Sequence, residues 1–172
     1  LRRALVIACA GIPLHKNEDD YHDFAVNSQY FYLTGLEREN TAFLAYKSAE
    51  KVWEVLFIEE PDPLSERWTG KMPTKEEVKA LPGIEDVRYT DSMETVISRF
   101  MSSFRVEQVY FDLYRCQMNG LPDYNVVMAE RFRQIYPQAV LKDLHTACVP
   151  LREQKDADEV ASIRKAVDIT RQ

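Results

Sequence analysis

The sequence has 172 residues, a length that fits one domain of ordinary size. Hydrophobic residues make up 45% of it, with eight Phe and nine Tyr, which excludes a disordered tail and predicts a sizeable aromatic core. Because the formal net charge is -6, a phosphate backbone would be repelled, and no apolar run approaches the roughly 20 residues that span a bilayer. We therefore expect a globular domain that binds neither nucleic acid nor membrane.

The cysteines and the first residues bear on the cellular compartment. Cys9, Cys116 and Cys148 are far apart, and an odd number without a C-x-x-C pair argues against a disulfide framework and a zinc site. We interpret them as reduced thiols of a cytoplasmic protein, with a catalytic cysteine as the less favoured alternative. The short apolar run after Arg3 stops at Pro13 without a small-residue cleavage site, which argues against a signal peptide. Since the sequence starts at a Leu rather than a Met, we expect that residues upstream have been lost.

The first third of the sequence predicts four strands. Residues 5–9 form a continuous apolar run, typical of a strand that is covered on both faces. The polar residues 13–23 predict a long loop, and the aromatic residues 30–33 predict a second strand. Residues 41–46 and 52–58 predict two further strands, which a polar turn joins into an antiparallel hairpin.

Helix signals separate the later strands. Thr74 followed by Glu77 is a capping-box pattern for a short helix over 75–80. Ser92 is the expected N-cap of an amphipathic helix that runs to Met101. The other predicted elements are a helix over 124–135 and strands over 87–89, 109–113 and 140–141. Since strands alternate with helices and one strand pair is a hairpin, we predict an α/β fold, a mixed sheet of about six strands flanked by helices.

The C-terminal segment predicts a helix, and no helix-ending residue follows it in the sequence. Asp156 and Glu159 form a second capping box, and a stripe at helical spacing follows with Val160, Ile163, Val167 and Thr170. No Gly, Asn or Pro comes after this stripe. We therefore expect the cut end of a longer protein, with the last turn frayed or paired with a neighbouring molecule.

Few side chains indicate chemistry by themselves. The loop over 13–23 offers five potential metal ligands, but a solvated charged loop is the favoured interpretation of His15, Asp19, Asp20, His22 and Asp23. The sequence contains no phosphate-binding glycine loop, no G-x-S-x-G elbow and no His-x-x-x-His helix. Trp68, beside Arg67 in a proline-rich connection, is either a binding surface or a local packing anchor. The chemistry alone indicates a domain without an active site of its own.

Three segments of the sequence resemble one known family. The run NSQYFYLTG is similar to a signature of the N-terminal domain of aminopeptidase P (Xaa-Pro aminopeptidase) enzymes, and the signature residues are Asn27, Ser28, Tyr32, Leu33, Thr34 and Gly35. Residues 56–70 are similar to the stretch in which that domain leaves a strand and passes through an E-x-W-x-G element. Residues 150–170 are similar to the junction before the family's catalytic domain. The order and approximate spacing match, so the resemblance covers essentially the whole chain.

The resemblance implies the organisation of a longer enzyme. It implies a creatinase/prolidase-type N-terminal domain over 1–150 and a junction helix over 151–172, which leads into a pita-bread metallopeptidase domain that this sequence lacks. That catalytic domain carries two divalent metal ions, commonly manganese, whose bridging hydroxide attacks the peptide bond before proline. The family's five metal ligands lie beyond the junction, so we expect no catalytic or metal-binding residue and no cofactor in this chain.

The resemblance also implies what this domain contributes to the enzyme. The family's N-terminal domain supports dimers or higher oligomers, restricts access of peptide substrates and accompanies its own catalytic domain. In some members the Trp of the E-x-W-x-G element approaches a neighbouring subunit's active site, and Trp68 matches that position with Arg67 beside it. Many members carry an aromatic-Arg-Gln before the signature, where this chain has Phe24, Ala25 and Val26, so the contacts of that Arg are not expected here.

Two alternatives to an aminopeptidase stay open at this point. A prolidase, which cleaves dipeptides, or a creatinase, which acts on an amidino bond without a metal, would share the architecture, although the Tyr-Leu-Thr-Gly run favours aminopeptidase P. A non-enzymatic peptide-binding module of the same architecture, like the histone-chaperone subunits that bind basic peptides, is compatible with the net charge of -6. Two Asp, one His and two Glu downstream would favour the enzyme.

Overall fold

A mixed β-sheet forms the centre of the molecule. The computed structural model describes residues 3–18, 20–80, 83–114 and 123–171, and at positions 68 and 69 it describes the backbone alone. The strands of the described part are β1 (Ala4–Cys9), β2 (Ala42–Lys47), β3 (Val52–Ile58), β4 (Val87–Tyr89), β5 (Gln108–Phe111) and β6 (Val140–Asp143). They lie in the order β4-β3-β2-β1-β5-β6. The pairs β1–β2 and β2–β3 are antiparallel, whereas β1–β5, β5–β6 and β3–β4 are parallel, which confirms the predicted fold class.

Helices cover both faces of this sheet. They are α1 (Ser28–Thr34), α2 (Glu66–Thr69), α3 (Lys75–Lys79), α4 (Met93–Ser103), α5 (Tyr124–Ile135), α6 (Leu144–Glu153) and α7 (Ala157–Thr170), with a 3₁₀ turn over Thr90–Ser92. Helices α4 and α5 pack into one core cluster with Leu5 and Ile7 of β1. Helices α1, α3 and α6 pack into a second cluster with Ala8 of the same strand. Because side chains alternate along a strand, β1 is buried on both faces, as its apolar run predicts.

The predicted strand over 30–33 is wrong, because the signature forms helix α1. The side chain of Asn27 accepts hydrogen bonds from the backbone N–H groups of Gln29 and Tyr30, which supplies the N-cap. Gly35 ends the helix with φ 66°, a left-handed conformation that glycine adopts without strain, and its N–H donates to the Phe31 carbonyl. The aromatic run has strand propensity, but caps at both ends outweigh it.

One predicted capping bond and one helix differ from the prediction. Ser92 stands at the N-cap position of α4 as predicted, but its side chain makes no capping hydrogen bond, because its hydroxyl donates to the Tyr89 carbonyl at 2.7 Å inside the 3₁₀ turn that precedes the helix. Helix α6 was not predicted, although Asp143 caps it by accepting from the backbone N–H groups of His145 and Thr146. Pro150 lies inside α6. Because proline usually breaks a helix interior, its presence argued against a helix in this part of the sequence. The capping boxes at Thr74 and Asp156, the hairpin and the helix over 124–135 are confirmed.

The C-terminal helix α7 is largely exposed. It has no buried residue, Glu159 and Val160 are half-buried, and Ile163 and Val167 are each 50% exposed. The predicted apolar stripe therefore exists and faces solvent. The expected fraying of the last turn, or its pairing with another molecule, stays a prediction, since the helix continues to Thr170.

One buried amide ties α5 to the end of the central strand. Asn125 is fully buried, its Oδ1 accepts from the Cys9 N–H at 2.8 Å, and its Nδ2 donates to the Cys9 carbonyl at 3.0 Å. The same Nδ2 also donates to Asp123, the N-cap of α5. A side chain thus pairs both backbone groups of Cys9, which would otherwise be buried without partners.

We predict that Asn125→Ala lowers the free energy of unfolding by about 3 kcal/mol, because two buried backbone groups lose their partners. Urea denaturation followed by circular dichroism measures this loss. The control is Gln134→Ala, which removes an amide from the exposed side of the same helix and should cost less than about 0.5 kcal/mol. Equal losses for the two variants would contradict the role of Asn125.

Candidate functional site

The signature residues organise one end of the sheet, where β1 and β5 finish. The Asn27 side chain caps α1 through its Oδ1 and donates from Nδ2 to Asp112 Oδ2 at 2.8 Å. The backbone N–H of Asn27 donates to the Ala10 carbonyl at 2.8 Å, just after β1. Asp112, just after β5, also accepts from the Tyr114 N–H. One asparagine therefore joins α1 to the ends of two strands.

Other side chains of the run NSQYFYLTG hold the same segment in place. Tyr30 is fully buried and its hydroxyl lies 2.7 Å from Thr41 Oγ1 at the start of the hairpin, and burial raises the pKa of Tyr30 to about 12. Thr34 Oγ1 donates to the Tyr30 carbonyl and accepts from the Leu36 N–H. Leu33 packs against the second core cluster. These contacts are structural, so the signature specifies a local fold and not a reactive group.

A buried glutamine links α1 to α6. Gln29 is 1% exposed, and its Nε2 lies 2.9 Å from His145 Nδ1. Arg152 Nη1 donates to Gln29 Oε1 at 3.5 Å, and the Arg152 guanidinium lies 5.5 Å from the centre of the Tyr32 ring. The Tyr32 hydroxyl donates to the Leu151 carbonyl at 3.3 Å. This cluster was not predicted from the sequence, because its only local sign is one polar residue, Gln29, within an aromatic run.

The segment that carries Arg67 and Trp68 forms the short helix α2. Asp62 precedes it and accepts from the Leu64 and Ser65 backbone and the Ser65 hydroxyl. The pKa of Asp62 is lowered by the Ser65 hydroxyl and then by these backbone N–H groups. Arg67 is exposed, and the side chain of Trp68 lies outside the described part of the structure. Their predicted role at a neighbouring active site stays a prediction.

The acidic loop does not gather its candidate ligands. The His15 ring packs on Tyr21 with centroids 4.3 Å apart, and Lys16 Nζ pairs with Asp20 Oδ2 at 3.0 Å. Asp19 lies outside the described residues. Across the described ranges, no three His, Cys, Asp or Glu side chains are placed to hold a metal ion. The side chains present in those ranges therefore do not fit the two-metal centre that the resemblance implies for the longer enzyme.

The described cysteines lack the properties of nucleophiles. Cys9 and Cys148 are free and buried. Burial, with a smaller effect of the Asp123 charge, raises the pKa of Cys9 to about 12. Burial, followed by the Asp112 charge, also raises the pKa of Cys148. Because the thiolate is the reactive form, both thiols stay unreactive at neutral pH, whereas Cys116 lies outside the described residues.

We predict that Asn27→Asp destabilises the chain more at pH 8 than at pH 5. It would keep the helix cap but set a second carboxylate 2.8 Å from that of Asp112, and two such charges repel until they share a proton. Urea midpoints at the two pH values measure the effect, with about 2 kcal/mol expected at pH 8.

Gln138→Glu is the matched control, because it adds the same charge at an exposed position. It should change stability equally little at both pH values. A pH-independent loss in Asn27→Asp would contradict the contact with Asp112.

None of the helices in the described ranges is long and apolar enough to cross a membrane.

Related sequences are longer proteins. A Talaromyces stipitatus protein named as a Xaa-Pro aminopeptidase is 28% identical over 157 residues, which are 91% of this chain and 31% of that protein. The Xaa-Pro aminopeptidase of Haemophilus influenzae is 25% identical over 92 residues, 54% of this chain and 21% of its own length. The chain thus spans less than a third of these relatives.

Solved structures of similar fold point the same way. A structure of an aminopeptidase P from Bacillus anthracis matches with a TM-score of 0.87 and 30% identity, covering 94% of this chain and 39% of that one. Aminopeptidase P from E. coli has the same fold, with a TM-score of 0.76 at 19% identity over 99% of this chain and 39% of its own. A family model described as "Aminopeptidase P, N-terminal domain" matches residues 2–110. This chain therefore belongs to the family of aminopeptidase P N-terminal domains.

Proposed function

We propose that this chain is the non-catalytic N-terminal domain of a Xaa-Pro aminopeptidase, a metallopeptidase that removes the first residue from peptides with proline in second position. The observation that carries the proposal is the family match over residues 2–110. Relatives named as Xaa-Pro aminopeptidases favour this activity over that of a prolidase or a creatinase. The chain spans a minor part of those relatives, so the catalytic residues of the proposed enzyme would lie in a further domain.

The metal chemistry of the proposed enzyme would also reside in that further domain. One structure of similar fold is a zinc-substituted E. coli aminopeptidase P in complex with product. We propose two divalent ions, with manganese as the natural metal, held by ligands of the catalytic domain. When bound, such ions supply Lewis-acid activation of the scissile carbonyl and of water. The described residues of this chain would shape the surroundings of that centre.

We further propose that the domain supports a homodimer or higher oligomer and limits the size of peptides that reach the active site. Arg67 is exposed on a connection between β3 and α3, where a second subunit could meet it. Trp68, its neighbour in α2, is the residue we assign to a second subunit's active site. The exposed stripe with Ile163 and Val167 on α7 is the surface we assign to the chain's own catalytic domain.

We propose that the enzyme is cytoplasmic. Cys9 and Cys148 are free, and free buried thiols are usual in a reducing compartment. A non-enzymatic peptide-binding module is the alternative that the activity test below would reveal.

We predict that the purified chain does not hydrolyse an Xaa-Pro peptide when manganese is added, because the described residues offer no ligand set. Release of the first amino acid, followed by chromatography, measures this. The positive control is the longer protein that contains the catalytic domain. Metal-dependent turnover by the chain alone would refute the assignment, and an inactive longer protein would favour the binding module.

We predict that Trp68→Ala in the longer enzyme lowers kcat/KM at least roughly tenfold while Tm changes by less than about 2 °C, because the side chain would act on a neighbouring active site. The control is Trp53→Ala. Trp53 packs edge-on against Phe100 at 5.8 Å and beside Phe104 at 5.7 Å, so its loss should lower Tm and spare kcat/KM. The reverse pattern would show that Trp68 is a packing anchor.

A further inference from the structure

The contact between α1 and α6 depends on a side chain that can exist in two charge states. Gln29 Nε2 and His145 Nδ1 are 2.9 Å apart, and the Tyr114 ring stacks on the imidazole at a centroid distance of 4.2 Å and 14° between planes. Gln29 is 1% exposed, so its amide cannot exchange these partners for bulk water without a movement of α1 or α6.

The orientation of the Gln29 amide follows from its second partner. Arg152 is a donor only, so the atom that faces its Nη1 must be the amide oxygen, Oε1. The amide nitrogen of Gln29, which is a donor only, then faces His145 Nδ1. In this arrangement a neutral His145 accepts at Nδ1 and carries its ring proton on Nε2.

Protonation of His145 is incompatible with this arrangement. A proton on Nδ1 would face the Gln29 NH₂ group, and two donors repel. If the amide rotated by 180° to offer Oε1 to His145, its NH₂ group would face the Arg152 guanidinium. One of the two hydrogen bonds is lost in either case, and a second cation is added near Arg152.

We propose that Gln29, His145 and Arg152 form a proton-sensitive latch that fixes α6 against α1 and thereby sets the direction in which the chain continues into α7. The latch is closed when His145 is neutral and loosens when the ring takes a proton from solvent. Gln29 acts as a positioning residue, and nothing in its contacts makes it reactive. The inference rests on contacts within this chain, so it holds independently of the proposed aminopeptidase role.

Histidine is the residue type that changes charge most readily near neutral pH, and several other charged or titratable groups of the described residues surround His145. Asp143 caps α6, and its pKa is lowered, because partial burial raises it but hydrogen bonds from Thr146, Leu113 and His145 outweigh that effect. Cys148 of α6 has a raised pKa and stays neutral. The remaining groups are Arg152 and Tyr32, and at the end of β5 Asp112 and Tyr114.

The contact between α1 and α6 affects the direction of the following helix, α7. Only three residues separate the end of α6 from the start of α7, and α7 has no buried residue, so within the described chain its direction follows from that of α6. Leu144 and Cys148 in the first half of α6 pack into the second core cluster, and in the described residues Arg152 and Leu151 connect the far end of α6 to α1 through hydrogen bonds.

Amide hydrogen exchange of the chain, corrected for the intrinsic pH dependence of exchange, tests the latch. We expect the protection of 144–153 to fall roughly tenfold between pH 8 and pH 5.5, relative to α5 on the opposite face. The ¹⁵N shifts of the His145 ring should show the Nε2–H form at pH 8. Unchanged relative protection of 144–153, or a ring that carries its proton on Nδ1 at pH 8, would overturn the proposal.

His145→Asn is the matched variant, because its Oδ1 can take the place of Nδ1 as an acceptor and cannot gain a proton in this range. Its α6 should stay equally protected at both pH values. Gln29→Glu should reverse the sign, because a carboxylate accepts from a protonated imidazole and binds it better at pH 5.5. If His145→Asn loses protection at pH 5.5 as the unmodified chain does, another group is responsible and the latch is disproved.

Discussion

The end of strand β1 lies inside the protein, and its backbone groups must be paired there. The two groups of Cys9 are paired by the Asn125 side chain. The N–H of Ala10 donates to the Thr41 carbonyl, the Ala10 carbonyl accepts from Asn27, and the Gly11 carbonyl accepts from Asn40. A buried polar group without a partner costs free energy comparable to a lost hydrogen bond. The positions of α1, α5 and the hairpin are therefore all set by one requirement at one strand end.

The same strand end explains why the family signature is so poor in reactive chemistry. Asn27 satisfies the Ala10 carbonyl, the first turn of α1 and the carboxylate of Asp112 at once. An aspartate there would repel Asp112, and a serine would be too short to cap the helix and reach across to β5. The run that resembles aminopeptidase P enzymes is thus a folding motif, and its value for assigning function comes from the family match and not from its own side chains.

The fold could largely be predicted from sequence, because its signals are local. The apolar run of β1, the hairpin and the capping boxes at Thr74 and Asp156 each depend on neighbours in the chain. The predictions that failed have partly local and partly non-local causes. The aromatic run over 30–33 forms a helix because Asn27 and Gly35 cap it while the sheet buries Tyr30, and α6 was hidden by Pro150. Gln29 and His145 are 116 residues apart in the sequence, and no local sequence pattern predicts a contact at that separation.

The two strands at the edges of the sheet are short. β4 has three residues and β6 has four, the latter including Lys142. Short edges with a lysine offer few free backbone groups for another chain to pair with, which protects natural sheets from uncontrolled growth into aggregates. Self-association of a molecule with such edges is more easily built on side chains of helices and connections, which single substitutions can tune, than on a ladder of backbone hydrogen bonds.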